Sequence, residues 1–200
     1  MSNVTIKSPG TGADMKLLPP PVVGRWRLYE RMAIQVRNFA GIDLKSRLDP
    51  FALARSINIR VVYLGDLIGL SEASRNRLDV PDGWSGGATQ ELGDGSYIVI
   101  LNQKHSSGRQ AATLMEEVCH ILFGHKPSGI SAERIGGRSY NFNVEEEAYA
   151  VGAAALVPYY SLKNLLVSGV PARKIAGHFG VTPSLIVYRA KGTRLETFLS

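Results

Sequence analysis

The sequence of 200 residues holds a single cysteine, Cys119. It therefore has no intrachain disulfide framework and no metal site made of thiolates alone. No apolar run approaches the roughly 18 residues that a membrane span requires, so no membrane partner is expected. The stretch from Met1 to Lys16 lacks the apolar segment of a secretory signal, which makes the cytoplasm the expected compartment. Acid is scarce toward the far end. From Tyr159 to Ser200, Lys163, Arg173, Lys174, Arg189, Lys191 and Arg194 face only Glu196, a local net charge of +5 within a total of +6. Such a tail is either a solvated positive face or a surface for nucleic acid or an acidic protein. With 44% hydrophobic and 20% charged residues, the chain is neither wholly disordered nor a fibre, and its length suits one domain with a small appendage.

Residues 1–24, with Gly10, Gly12 and Pro19 to Pro21, read as a flexible leader. Leu28, Met32, Val36 and Phe39 recur at helical spacing and predict a helix from Trp26 to Ala40. Asp49-Pro50 opens a short helix to Ser56. β-Branched residues predict strands over Ile59 to Leu64 and Tyr97 to Leu101. A further strand from Trp84 to Leu92, joined to the last by Gly93-Asp94-Gly95, suggests a hairpin. A helix from Gly108 to Phe123 stops at Gly124, and another from Val144 to Val157 stops at Pro158. The loop between them, 126–143, precedes two or three short helices in the tail.

The chemistry concentrates in Thr113 to His125. In the zinc-peptidase pattern H-E-x-x-H, positions i and i+4 share one helix face and bind metal, while the glutamate at i+1 acts as a base on water. Glu116-Glu117-Val118-Cys119-His120 fills that frame with glutamate at the first position. A carboxylate also ligates zinc, so Glu116 and His120 are candidate ligands and Glu117 the candidate base. The rest of this helix is apolar, and adjacent carboxylates there are costly unless something offsets them. Glu145-Glu146-Glu147 opens the next helix, as partners of its dipole or as ligands. His125 lies one turn and a residue past His120, which points it off the ligand face, as a helix cap or a neighbour of the ligands. His105, at the start of the motif helix, is a candidate for assisting substrate or metal. Cys119 reads as a buried structural thiol and His178 as a surface residue.

Ile98-Val-Ile-Leu-Asn102, His105, Arg109, the Glu116 to His125 segment, Glu145 to Ala148 and Leu156-Val157-Pro158 occur in an order that resembles the ImmA/IrrE family of bacterial and phage metallopeptidases. The likeness runs from about Ile59 to Leu195. It implies zinc held by His120 and a downstream glutamate, best matched by Glu145 with Glu147 as the alternative; Glu116 stands where the family has its first histidine. A divalent metal is implied, zinc first, with manganese or iron as alternatives. The implied substrate is a protein or peptide, in particular a helix-turn-helix regulator of a mobile element or stress response. The competing readings are a non-catalytic partner-binding descendant and a DNA-binding regulator.

The expected fold is α+β and zincin-like. A small mixed sheet, mostly antiparallel, packs on the metal-site helices of a core over 25–158, and a basic helix-turn-helix-like unit over 159–200 packs on that core. In the tail, Ala176, Gly180 and Val181 have helix-turn-helix spacing. Only Ser184 and Arg189 on its second helix are suited to reading bases, so a packing unit is favoured over nucleic-acid recognition. The strand Tyr97 to Leu101 is expected to edge a cleft where an extended peptide adds by main-chain hydrogen bonds. Tyr140, Tyr149 and His105 are the candidates for stabilising an oxyanion.

Overall fold

The structure, a computed structural model, describes residues 22–82, 84–88, 95–125 and 142–199. Most of the expected leader, the end of the second expected strand with its Gly93-Asp94 turn, most of the loop before Asn143, and Tyr140 lie outside the described residues. Helix α1 spans Arg25–Phe39 and α2 Pro50–Ser56, where Asp49 caps by accepting from the Phe51 amide at 2.9 Å. Strand β1 is Ile59–Tyr63; a 3-10 turn and α3, Glu72–Leu78, lead to β2, Gly86–Ala88, and β3, Tyr97–Leu101. Then come α4, Ser107–Leu122, and α5, Phe142–Leu156. The tail forms α6, Tyr159–Val167, α7, Ala172–Phe179, and α8, Pro183–Gly192.

The fold is α+β and zincin-like, with a mixed sheet in the order β1-β3-β2. Among the described residues the longer pairing is parallel, Ile59 to Tyr63 against Tyr97 to Leu101, and the short β2–β3 pairing is the antiparallel one. The expectation of a mostly antiparallel sheet is therefore corrected. The chain between β1 and β3 carries a helix and a strand, long enough for the crossover that parallel pairing needs. The order also makes β3 the central strand, so it does not edge a cleft. Among the described residues the edge beside α4 belongs to β2: a Cβ on Gly86 would lie 2.6 Å from the Thr113 methyl group.

Leu114, Met115, Val118 and Cys119 of α4 pack in the core with Ala148, Val151 and Ala155 of α5. Gly152 allows this approach, since a Cβ there would meet the Met115 carbonyl oxygen and the Glu116 amide nitrogen at 3.2 Å. The end of α5 is held from both sides. Arg37 of α1 donates to the Ala155 carbonyl and Arg189 of α8 to that of Val157, meeting carbonyls that a helix end leaves without internal partners. Arg189 also forms a buried ion pair with Glu30. These contacts set the buried face of α1. Its buried side runs through Tyr29, Glu30, Ala33, Val36 and Arg37, while Leu28 and Phe39 are exposed.

The α7–α8 pair turns at Gly180, φ 68°, and Thr182 caps α8 through the Leu185 amide. The turn presses on the start of α4, where a Cβ on Gly108 would sit 2.7 Å from Val181. Ser184 is exposed, but Arg189 is wholly buried. Arg189 is thus removed as a base reader, because its guanidinium serves Glu30 and Val157.

Candidate metal centre

Ser106 caps α4 at the Arg109 amide, and the helix then carries Glu116 and His120 one turn apart on one face. Close packing at Gly152 brings α5 alongside. Ligand atoms of Glu116, His120 and Glu145 all lie within 4.8 Å of one another. Nε2 of His120 is 3.5 Å from a Glu145 carboxylate oxygen, and the two side chains are 12% and 22% exposed. Burial pulls the His120 pKa below the ordinary histidine range, with Glu145 opposing, which favours the neutral ring that ligates metal. Burial raises the Glu116 carboxyl to about 8, helped by the charges of Glu117 and Glu145. Three neighbouring carboxylates with one imidazole are short of positive charge, so the donor set fits a divalent cation.

The three consecutive glutamates separate by partner. Glu145 joins His120, Glu146 pairs with Arg25 of α1 at 2.9 Å, and Glu147 meets His125 Nε2 at 3.3 Å. At about 100° per residue they cannot share one face. Glu145, and not the alternative Glu147, therefore enters the group of potential ligands.

The expectation that His125 points away from His120 is corrected. Gly124 takes the left-handed conformation, φ 67°. The His125 amide bonds back to the His120 carbonyl at 2.9 Å and the Gly124 amide to that of Ile121 at 3.1 Å. This is the Schellman ending, which folds the second residue past the helix cap over the residue three from the helix end. Here it sets Nδ1 of His125 3.1 Å from Nδ1 of His120. The sequence signal was His-x-x-x-Gly-His, a glycine stop with histidines at both contacting positions.

Glu117 follows Glu116 on the same helix and is half-buried. Tyr149 of α5 feels the charges of Glu116 and Arg109, and its ring packs edge-on against Tyr188 of α8 at 4.9 Å; burial raises its pKa. His105 is buried at the β3–α4 turn with Nε2 2.9 Å from the Pro81 carbonyl, and it is not brought into the group. Cys119 is fully buried, its thiol pKa raised by burial first and then by Glu116 and Glu147. His178 is exposed and bonds the Lys45 carbonyl. Sequence reading missed Arg25 and Tyr188, both outside the motif.

Residues 56–191 match the model of a peptidase family described as the IrrE N-terminal-like domain. The chain belongs to that family. Membership supports a metallopeptidase-like function, and together with the Glu116, His120 and Glu145 group it points to a divalent metal. No curated relative matches the chain. No single helix among the described residues is long and apolar enough to cross a membrane.

Proposed function

We propose that the protein is a metal-dependent endopeptidase acting on a helix-turn-helix transcriptional regulator. The observation that carries this reading is the convergence of Glu116, His120 and Glu145 from two helices, with Glu117 beside Glu116. Zinc is the proposed metal, with manganese or iron as alternatives favoured by the second carboxylate. When bound, it supplies Lewis-acid polarisation of the scissile carbonyl and a lowered pKa for the attacking water. Glu117 takes the proton from that water and passes it to the leaving amine. Tyr149, close enough to sense Glu116 and Arg109, is the proposed partner of the developing oxyanion. The substrate main chain lies along β2, the strand at the sheet edge beside α4 among the described residues. The basic tail favours a regulator with an acidic surface.

Protein purified without chelators should contain stoichiometric metal. Incubated with a helix-turn-helix regulator encoded beside it, the wild type should yield fragments by mass spectrometry. Glu117→Gln should keep the metal and lose cleavage by at least about 10²-fold. Equal cleavage by both proteins would sink the role of Glu117. A second reading, a non-catalytic binder of the same regulator, is favoured by the burial of Glu116 beside Glu117 and Glu145, which raises its carboxyl above the ordinary range and so favours the neutral acid that an empty group would need. No metal uptake, even with added zinc or manganese, would decide for that reading.

A further inference from the structure

We propose that Glu147 and His125 are positioning residues that hold His120 in the tautomer whose Nε2 lone pair faces Glu116 and Glu145. The inference rests on the metal-site reading above and adds two residues outside the ligand group. It follows from counting hydrogens along one chain of contacts. An ionised carboxylate accepts and has no proton to give. Nε2 of His125, 3.3 Å from Glu147, therefore carries the hydrogen. A neutral ring protonated at Nε2 offers a lone pair at Nδ1. That lone pair lies 3.1 Å from Nδ1 of His120, which must then be the donor. The remaining His120 nitrogen, Nε2, is left with its lone pair on the side of the two carboxylates.

The opposite arrangement has its own acceptor. Glu145 stands 3.5 Å from His120 Nε2 and would take a hydrogen bond from it, closing that nitrogen to a cation. Two acceptors thus compete for one proton. The shorter contact belongs to His125, whose own proton is drawn to Glu147. The backbone supports the contact: the turn at Gly124 fixes His125 over His120, and the 12% exposure of the His125 side chain limits competition from water. Partners of this kind orient ligating histidines, and their loss costs roughly 10–100-fold in metal affinity.

The test measures tautomer and affinity separately. In metal-free wild type, nitrogen shifts of ¹⁵N-labelled histidine should place the His120 proton on Nδ1. His125→Phe and Glu147→Ala should each move it toward Nε2 and weaken binding of zinc ion by about 10–100-fold. Because the two act in series, the double variant should be no worse than His125→Phe alone. His125→Gln, whose amide accepts with oxygen and donates with nitrogen, should keep affinity within a few-fold of wild type. Melting temperatures of the metal-free variants show whether an affinity loss merely follows unfolding; the glutamine variant decides if the phenylalanine one is unstable. A wild-type proton on Nε2, unchanged zinc affinity in His125→Phe, or single losses that multiply in the double variant would overturn the proposal. A wild type that takes up no zinc yet keeps the proton on Nδ1 overturns the metal reading and supports the positioning.

Discussion

Glu116 combines two roles that pull against each other. As an acid buried beside Glu117 and Glu145, it holds its proton up to about 8, whereas its ordinary value is 4.5. Between those values the folded metal-free protein keeps a proton that the unfolded chain has released. The unfolded state binds fewer protons, so stability falls as pH rises through that window and levels off above it. The slope is at most about 1.4 kcal/mol per pH unit. Urea unfolding of chelator-treated protein across the window should show the decline, and Glu116→Gln, which imitates the neutral acid, should flatten it. A metal ion offsets the same charge, so metal-loaded wild type should also lose the slope.

The site depends on how closely α4 and α5 approach, and Gly152 sets that distance against the backbone at Met115 and Glu116. Gly152→Val places a branched side chain against backbone atoms that can yield only by parting the helices. It should destabilise by about 1–3 kcal/mol in denaturant melts and weaken metal uptake, since Glu145 recedes with α5. At this scale the sequence was most legible: the extents of α4, β3 and α2 agree with their apolar period, β-branched run and Asp49-Pro50 start to within a residue at each end. Glu116 and His120 were legible too, because i and i+4 on one helix share a face whatever surrounds it. The choice among Glu145, Glu146 and Glu147 was not. Each points a different way, and the answer lies in what stands opposite: His120, Arg25 and His125. The buried face of α1 was hidden for a similar reason, because two charged residues, Glu30 and Arg37, outrank Leu28 and Phe39 once Arg189 and the α5 carbonyls supply their partners. The parallel pairing of β1 with β3 depends on a crossover whose path no local pattern records.

For the molecule as a whole, the buried ion pair between Glu30 and Arg189 joins the first described helix to the last. Arg189→Met leaves Glu30 buried without its cation and the Val157 carbonyl without its donor. Loss of one partner from such a pair costs about 3–5 kcal/mol, which the midpoint of denaturant unfolding would register. Adding Glu30→Gln should recover part of that loss. The same contact has a bearing on folding kinetics. It closes a loop between residues 159 positions apart, and the Arg37 contact with Ala155 closes another of 118. Contacts so distant along the chain form slowly, because loop entropy is lost before they reward it. Helix α5 carries Glu145 at one end and both arginine contacts at the other. During synthesis it therefore lacks its final anchor until Arg189 has emerged from the ribosome. A nascent chain stalled before α8 should leave α5 open to proteolysis, so that the Glu116, His120 and Glu145 group, drawn from the middle of the sequence, is steadied only once α8 has been made.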